Sequence, residues 1–136
     1  MKLPPHLRFR KEFSLLVWKP HGTLDQDTVN DIVEFVEAAE RQAHKPFNRF
    51  TDLSDPALEM VDVDFKFVFQ VALARRISAK PRPSIKSAFY VTSKATMHYA
   101  RLHALLTDHS PLHVSVHTDR AAAAKWLGVP VKALEG

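Results

Sequence analysis

Apolar residues run almost without interruption through Phe13-Ser-Leu-Leu-Val-Trp18, as in a strand buried on both faces. In Leu7-Arg-Phe-Arg10 they alternate with polar ones, as in a half-exposed edge partner. The polar residues between the two runs predict a hairpin. After Pro20-His-Gly22 the spacing becomes helical. Thr23 and Gln26 have the separation of a capping box, and Val29, Ile32, Val33, Val36, Ala39 and Ala43 form one stripe with Asp and Glu opposite. Lys45-Pro46 ends this helix, and Phe47 to Leu53 reads as a short strand followed by the turn Asp52-Leu-Ser-Asp-Pro56.

From about Asp62 to Ser78 the pattern is helical again but apolar on much of its circumference, until Pro81 and Pro83 stop it. Ile85 to Val91 is the next strand. Thr92 or Ser93 caps a helix over Lys94 to Leu106, with Met97, Ala100, Ala104 and Leu105 on one side. His113-Val-Ser-Val-His117 alternates strictly, and its polar face marks it as an edge strand with Val114 and Val116 turned inward. Thr118 or Asp119 caps a last helix, Arg120 to Leu127, which Gly128 and Pro130 end. Strands that alternate with helices of this length predict an α/β fold, because parallel strands need crossovers of that size. The expected architecture is a mixed, largely parallel sheet of about five strands with four helices.

Length and composition narrow the class. The chain has 136 residues, 46% of them hydrophobic and 25% charged, which is enough for one domain over residues 1–136 with a core of its own. There is no cysteine, which excludes disulfides, thiolate nucleophiles and Cys-ligated metals and fits a reducing compartment. No apolar run approaches the roughly 20 residues of a membrane-spanning helix, and Met1 to Pro5 begins no secretory h-region. A cytoplasmic protein is expected.

The net charge of +4 conceals a strong segregation: +4 over residues 1–24, −8 over 25–64 and +8 over 65–136. The densest basic stretch, Arg75, Arg76, Lys80, Arg82 and Lys86, straddles a helix end and a Pro-rich turn, where cations also complement the helix dipole. Without aromatic groups set among those cations, the pattern argues against nucleic acid as a partner.

Eight histidines raise the question of a metal. His113 and His117 share a strand face but stand roughly 13 Å apart, too far for one ion, and His98 and His103 diverge around a helix. No metal site and no cofactor are expected. Ser54 sits in a turn sequence rather than a nucleophile elbow, with no base at a recognisable spacing. The three glycines, at 22, 128 and 136, build no phosphate-cradling loop. The chain therefore reads as a non-enzyme.

Several of these segments, taken in order, resemble the STAS, or SpoIIAA-like, family. They are Trp18-Lys-Pro-His-Gly-Thr-Leu24 before an acidic helix, Phe50-Thr-Asp-Leu-Ser54 closing a strand, Ala88-Phe-Tyr-Val-Thr92 leading to Tyr99-Ala-Arg101, and Val116-His-Thr-Asp-Arg-Ala-Ala-Ala-Ala-Lys-Trp-Leu127. The resemblance covers about residues 6–129 and implies a βα superhelix around a mixed sheet, as in bacterial anti-sigma-factor antagonists and uncharacterised bacterial relatives. It also implies a binding module that meets a protein partner at the Asp-Leu-Ser loop and the start of the following helix. In the antagonists a serine there is phosphorylated. Here the acceptor position falls in Met60-Val-Asp-Val-Asp-Phe65, which has no hydroxyl.

Charge and resemblance together make Asp52, Ser54, Asp55, Asp62 and Asp64 the candidate partner-binding residues. A different class of function attaches to the aromatic helix. Phe65 and Phe69 lie on one stripe, and Phe67 and Val71 on another about 160° away. The second stripe would pack on a neighbouring helix, line a pocket for a lipophilic small molecule, or form a homodimer interface. The pocket reading draws on a likeness of the fold to that of the CRAL-TRIO (Sec14-type) lipid carriers.

Overall fold

Strands β1 (Leu7–Arg10) and β2 (Leu15–Trp18) form the predicted hairpin, with Leu7 opposite Trp18 and Arg10 opposite Leu15. The structure, a computed structural model, describes residues 6–45, 47–60, 85–106 and 112–135. The predicted helix over 62–78 lies outside the described residues, and with it Asp62, Asp64, Phe65, Phe67, Phe69 and Val71.

Phe13 does not extend β2. It closes a single 3-10 turn, Lys11–Phe13, after which Ser14 adopts a left-handed conformation with φ 48° and reverses the chain. Helix α1 spans Gln26–Ala43. Its cap is Asp25, whose Oδ1 accepts from the Thr28 backbone N–H at 2.9 Å, and not Thr23 as the capping-box spacing predicts. Thr23 is otherwise engaged. With Leu24 it forms the two-residue strand β3, parallel to β5 (Glu59–Met60), and Glu59 N–H donates to the Gly22 carbonyl at 2.8 Å. The Thr28 bond holds the Asp25 carboxyl below the usual carboxylate range, as a helix N-terminus should.

Strand β4 (Asn48–Leu53) follows α1; β6 (Ile85–Val91), helix α2 (Lys94–Leu106), β7 (Leu112–His117) and helix α3 (Arg120–Leu127) complete the order, and a 3-10 turn over Val131–Leu134 follows. Ser93 Oγ caps α2 through the Thr96 N–H, and Asp119 caps α3 through the Ala121 N–H. The main sheet runs β1-β2-β4-β6-β7, antiparallel at β1 and parallel throughout the rest. Among the described residues the fold is therefore α/β with a mixed five-stranded sheet and three helices, none long and apolar enough to cross a membrane.

Because side chains alternate along each strand, the sheet carries two cores. On one face Leu15, Val17, Phe50 and Ala88 meet Ala123, Ala124 and Leu127 of α3 and Leu134 of the terminal turn. On the other, α1 and α2 cover Leu16, Leu53, Phe89 and Val91 with Val29, Val36 and Ala100. Gly128 ends α3 at φ 75°, with open space where a Cβ would stand. Gly128→Ala is thus expected to cost backbone strain alone, about 1 kcal/mol, and to lower Tm by about 3–5 °C in a thermal melt.

One acidic residue departs from the amphipathic pattern. Glu40 stands within the apolar stripe of α1, four residues after Val36 and seven after Val33, and is only 2% exposed. Both its oxygens accept from Arg49 Nη2 at 2.9 Å, and Oε2 also accepts from the Phe47 N–H at 2.7 Å.

β7 is an edge strand, as its polar face implies, and Val114 and Val116 do pack inward. His117 lies against the Trp126 ring, 5.9 Å between centroids, with Nε2 2.9 Å from Ser115 Oγ. Burial lowers its pKa from the ordinary 6.5, against a smaller opposing pull from Asp119. The unfolded chain therefore binds more protons than the folded one just below pH 6.5, and stability falls as the pH drops through that region. In His117→Gln the decline of Tm between about pH 7 and 5 should be shallower than in the wild type.

Candidate functional site

The parallel strands all point their carboxyl ends to one edge of the sheet, the edge at which open α/β sheets bind ligands. The turn after β4 lies there, and the structure shows what holds it. Asp52, the penultimate residue of β4, is 1% exposed. Its Oδ1 accepts from the Ser54 N–H at 2.9 Å and its Oδ2 from Arg120 Nη2 at 2.7 Å. Arg120 opens α3 and lies over the Tyr90 ring, 5.2 Å from its centroid. One buried carboxylate thus ties the loop to a helix 68 residues further along the chain.

Asp52 is accordingly a positioning group. Both of its oxygens are used inside the protein.

Ser54 and Asp55 are brought together on the outer side of the same turn. Asp55 Oδ1 accepts from the Ala57 N–H at 2.9 Å, and Oδ2 pairs with His21 Nδ1. The Ala57 bond, the His21 bond and the nearby charge of Lys19 hold the Asp55 carboxyl below its ordinary range. The carboxylate is therefore charged, and already engaged, at neutral pH.

Beside this turn lies a groove of about 590 Å³ lined by His6, Arg8, Lys19, His21, Ser54, Asp55 and Pro56. The hairpin supplies its far wall. Lys19 N–H donates to the His6 carbonyl at 3.1 Å, extending the β1–β2 ladder by one step and bringing Arg8 and Lys19 to the same end of it. The His6 and His21 rings stand 6.0 Å apart. Among the described residues, the charged groups of Arg8 and Lys19 take no hydrogen bond or ion pair.

The sequence reading missed His6, Arg8, Lys19 and His21. A signal was present in Lys19-Pro-His-Gly22, a polar turn directly after a buried strand, where loops carry binding groups. What hid it was the pairing of that turn with residues 6–8 and 54–56, which only the folded sheet creates.

A hydroxyl, an imidazole and a carboxylate in one groove call for a catalytic test. Asp55 orients His21 through Nδ1, as the acid of a serine triad orients its base. The other contact of such a triad, Ser54 Oγ to the imidazole, is not among the hydrogen bonds of the described residues, so nothing there activates the hydroxyl. No group of three or more metal-ligating side chains occurs among the described residues either.

The apolar cavity between α1 and the sheet, bounded by Leu16, Trp18, Val33, Phe89 and Tyr99 among others, measures about 70 Å³. Ligand pockets for lipophilic molecules run to about 300 Å³ and more.

No family model, no curated protein and no solved structure matches this chain.

Proposed function

We propose that this protein is a non-enzymatic binding module of the STAS, SpoIIAA-like type, and that it engages a protein partner at the carboxyl edge of its sheet. The β-β-α-β order and the mixed sheet agree with what the resemblance implies. The observation that carries the reading is the groove itself: polar groups from β1, the turn after β2 and the turn after β4 converge there, and buried Asp52, paired with the partly exposed Arg120, holds one wall in place. Such an arrangement favours recognition, because ordering the contact groups before a partner arrives reduces the entropy lost on binding.

The test is site-specific photo-crosslinking in cells, with the crosslinker at position 56 in the groove wall and, as a control, at position 31 on the exposed face of α1. A discrete protein adduct is expected from position 56. Its yield should fall at least about fivefold, the loss of about 1 kcal/mol, when Lys19→Glu is added. Equal adducts from both positions, or none from position 56, would refute the assignment of this edge.

A further inference from the structure

The acidic stretch of residues 25–64 leads one to expect a basic partner, but the groove contradicts the sign of that stretch. Asp52 is buried against Arg120, and Asp55 is occupied by the Ala57 N–H and His21. Among the described residues, the charged groups that face the groove without a hydrogen bond or ion pair are the guanidinium of Arg8 and the ammonium of Lys19, the latter acting on Asp55 only at a distance. Two imidazoles and the Ser54 hydroxyl stand beside them as further hydrogen-bond donors.

We propose that the groove binds a phosphate-monoester group. The proposal rests on reading the carboxyl edge as a binding face, and it names the chemistry that face accepts. An arginine offers a planar fork and a lysine a mobile point charge, complementary ways of holding a tetrahedral oxyanion. Both come from the same end of a hydrogen-bonded hairpin, so their backbones need no reordering when an anion arrives.

Charge and the number of acceptor oxygens decide between a phosphate and a carboxylate. The groups that face the bound anion are His6, Arg8, Lys19, His21, Ser54 and Asp55. A phosphate monoester offers three terminal oxygens to these donors where a carboxylate offers two, and its second negative charge gains further from the two cations. Phosphate should therefore saturate the groove where acetate does not.

Isothermal titration of the full chain at constant ionic strength reads the affinity for each anion. The probes are inorganic phosphate, N-acetyl-O-phosphoserine amide and acetate. We expect saturable binding of the two phosphates and no saturation with acetate. Arg8→Ala and Lys19→Ala should each weaken the phosphates about tenfold or more, with unchanged circular dichroism and melting because both side chains are exposed. Tighter binding of the phosphoserine probe would assign the group to a phosphorylated side chain, and equal binding to a free anion. Acetate binding as tight as phosphate, phosphate binding without saturation, or affinity unmoved in both variants would overturn the proposal. Saturable phosphate binding without any adduct at position 56 would remove the protein-partner reading and leave this site standing. An adduct at position 56 without phosphate binding would do the reverse.

Discussion

Glu40→Leu is expected to lower the unfolding free energy by about 3–5 kcal/mol, the range measured when one member of a buried ion pair is removed. The carboxylate is 2% exposed and Arg49 8%, so neither charge has water to fall back on. Losing Glu40 removes both contacts to Arg49 Nη2 and the acceptor of the Phe47 N–H, on the side of the sheet where Leu16 and Val36 are buried. The leucine would recover some apolar burial, but that does not offset the loss of the carboxylate that faces a buried guanidinium. Urea denaturation should show the midpoint falling with the slope unchanged, and Glu40→Leu combined with Arg49→Met should regain most of the loss. A single-variant cost below about 1 kcal/mol would mean that the pair behaves as a surface ion pair and is not sealed by α1.

Asp52→Ala should rank second, at about 2–3 kcal/mol. The carboxylate is as deeply buried as Glu40, but its partner differs. Arg120 has a side chain 36% exposed, so its guanidinium can turn to water when the acid is gone, and the penalty is correspondingly smaller. The local effect should exceed the global one. With no acceptor for its N–H, Ser54 loses what ties the turn to β4, and its amide should exchange at least about tenfold faster while the amides of β6 keep their protection relative to global unfolding. Asp52→Asn separates the two bonds. It retains an oxygen for Ser54 and loses the charge that draws Arg120, so it should restore the amide protection more than the stability. An Ser54 amide equally slow in wild type and Asp52→Ala would show that the turn is held from elsewhere.

Local patterning made most of the elements legible. The spans Ile85–Val91, Lys94–Leu106 and Arg120–Leu127 stand where the changes of period and the capping residues put them. Those signals act within a few residues, and the fold has no freedom to move them. Thr23 shows the limit. Its spacing to Gln26 suited a capping box, but pairing with Glu59, 36 residues away, recruited it into a strand, and Asp25 took over the cap.

Apolar periodicity, caps and turn residues, each a property of neighbours in the chain, determined the α/β order and its edge strand. The tertiary structure alone decided which charges still face solvent. Glu40 and Arg49 neutralise each other because α1 ends over β4, and Asp52 and Arg120 because α3 starts beside it. Coulomb energy depends on distance in space and on the dielectric around the pair, and neither is written in sequence separation. For that reason a segment with a formal charge of −8 borders a groove in which, among the described residues, the charged groups without a hydrogen bond or ion pair are those of Arg8 and Lys19.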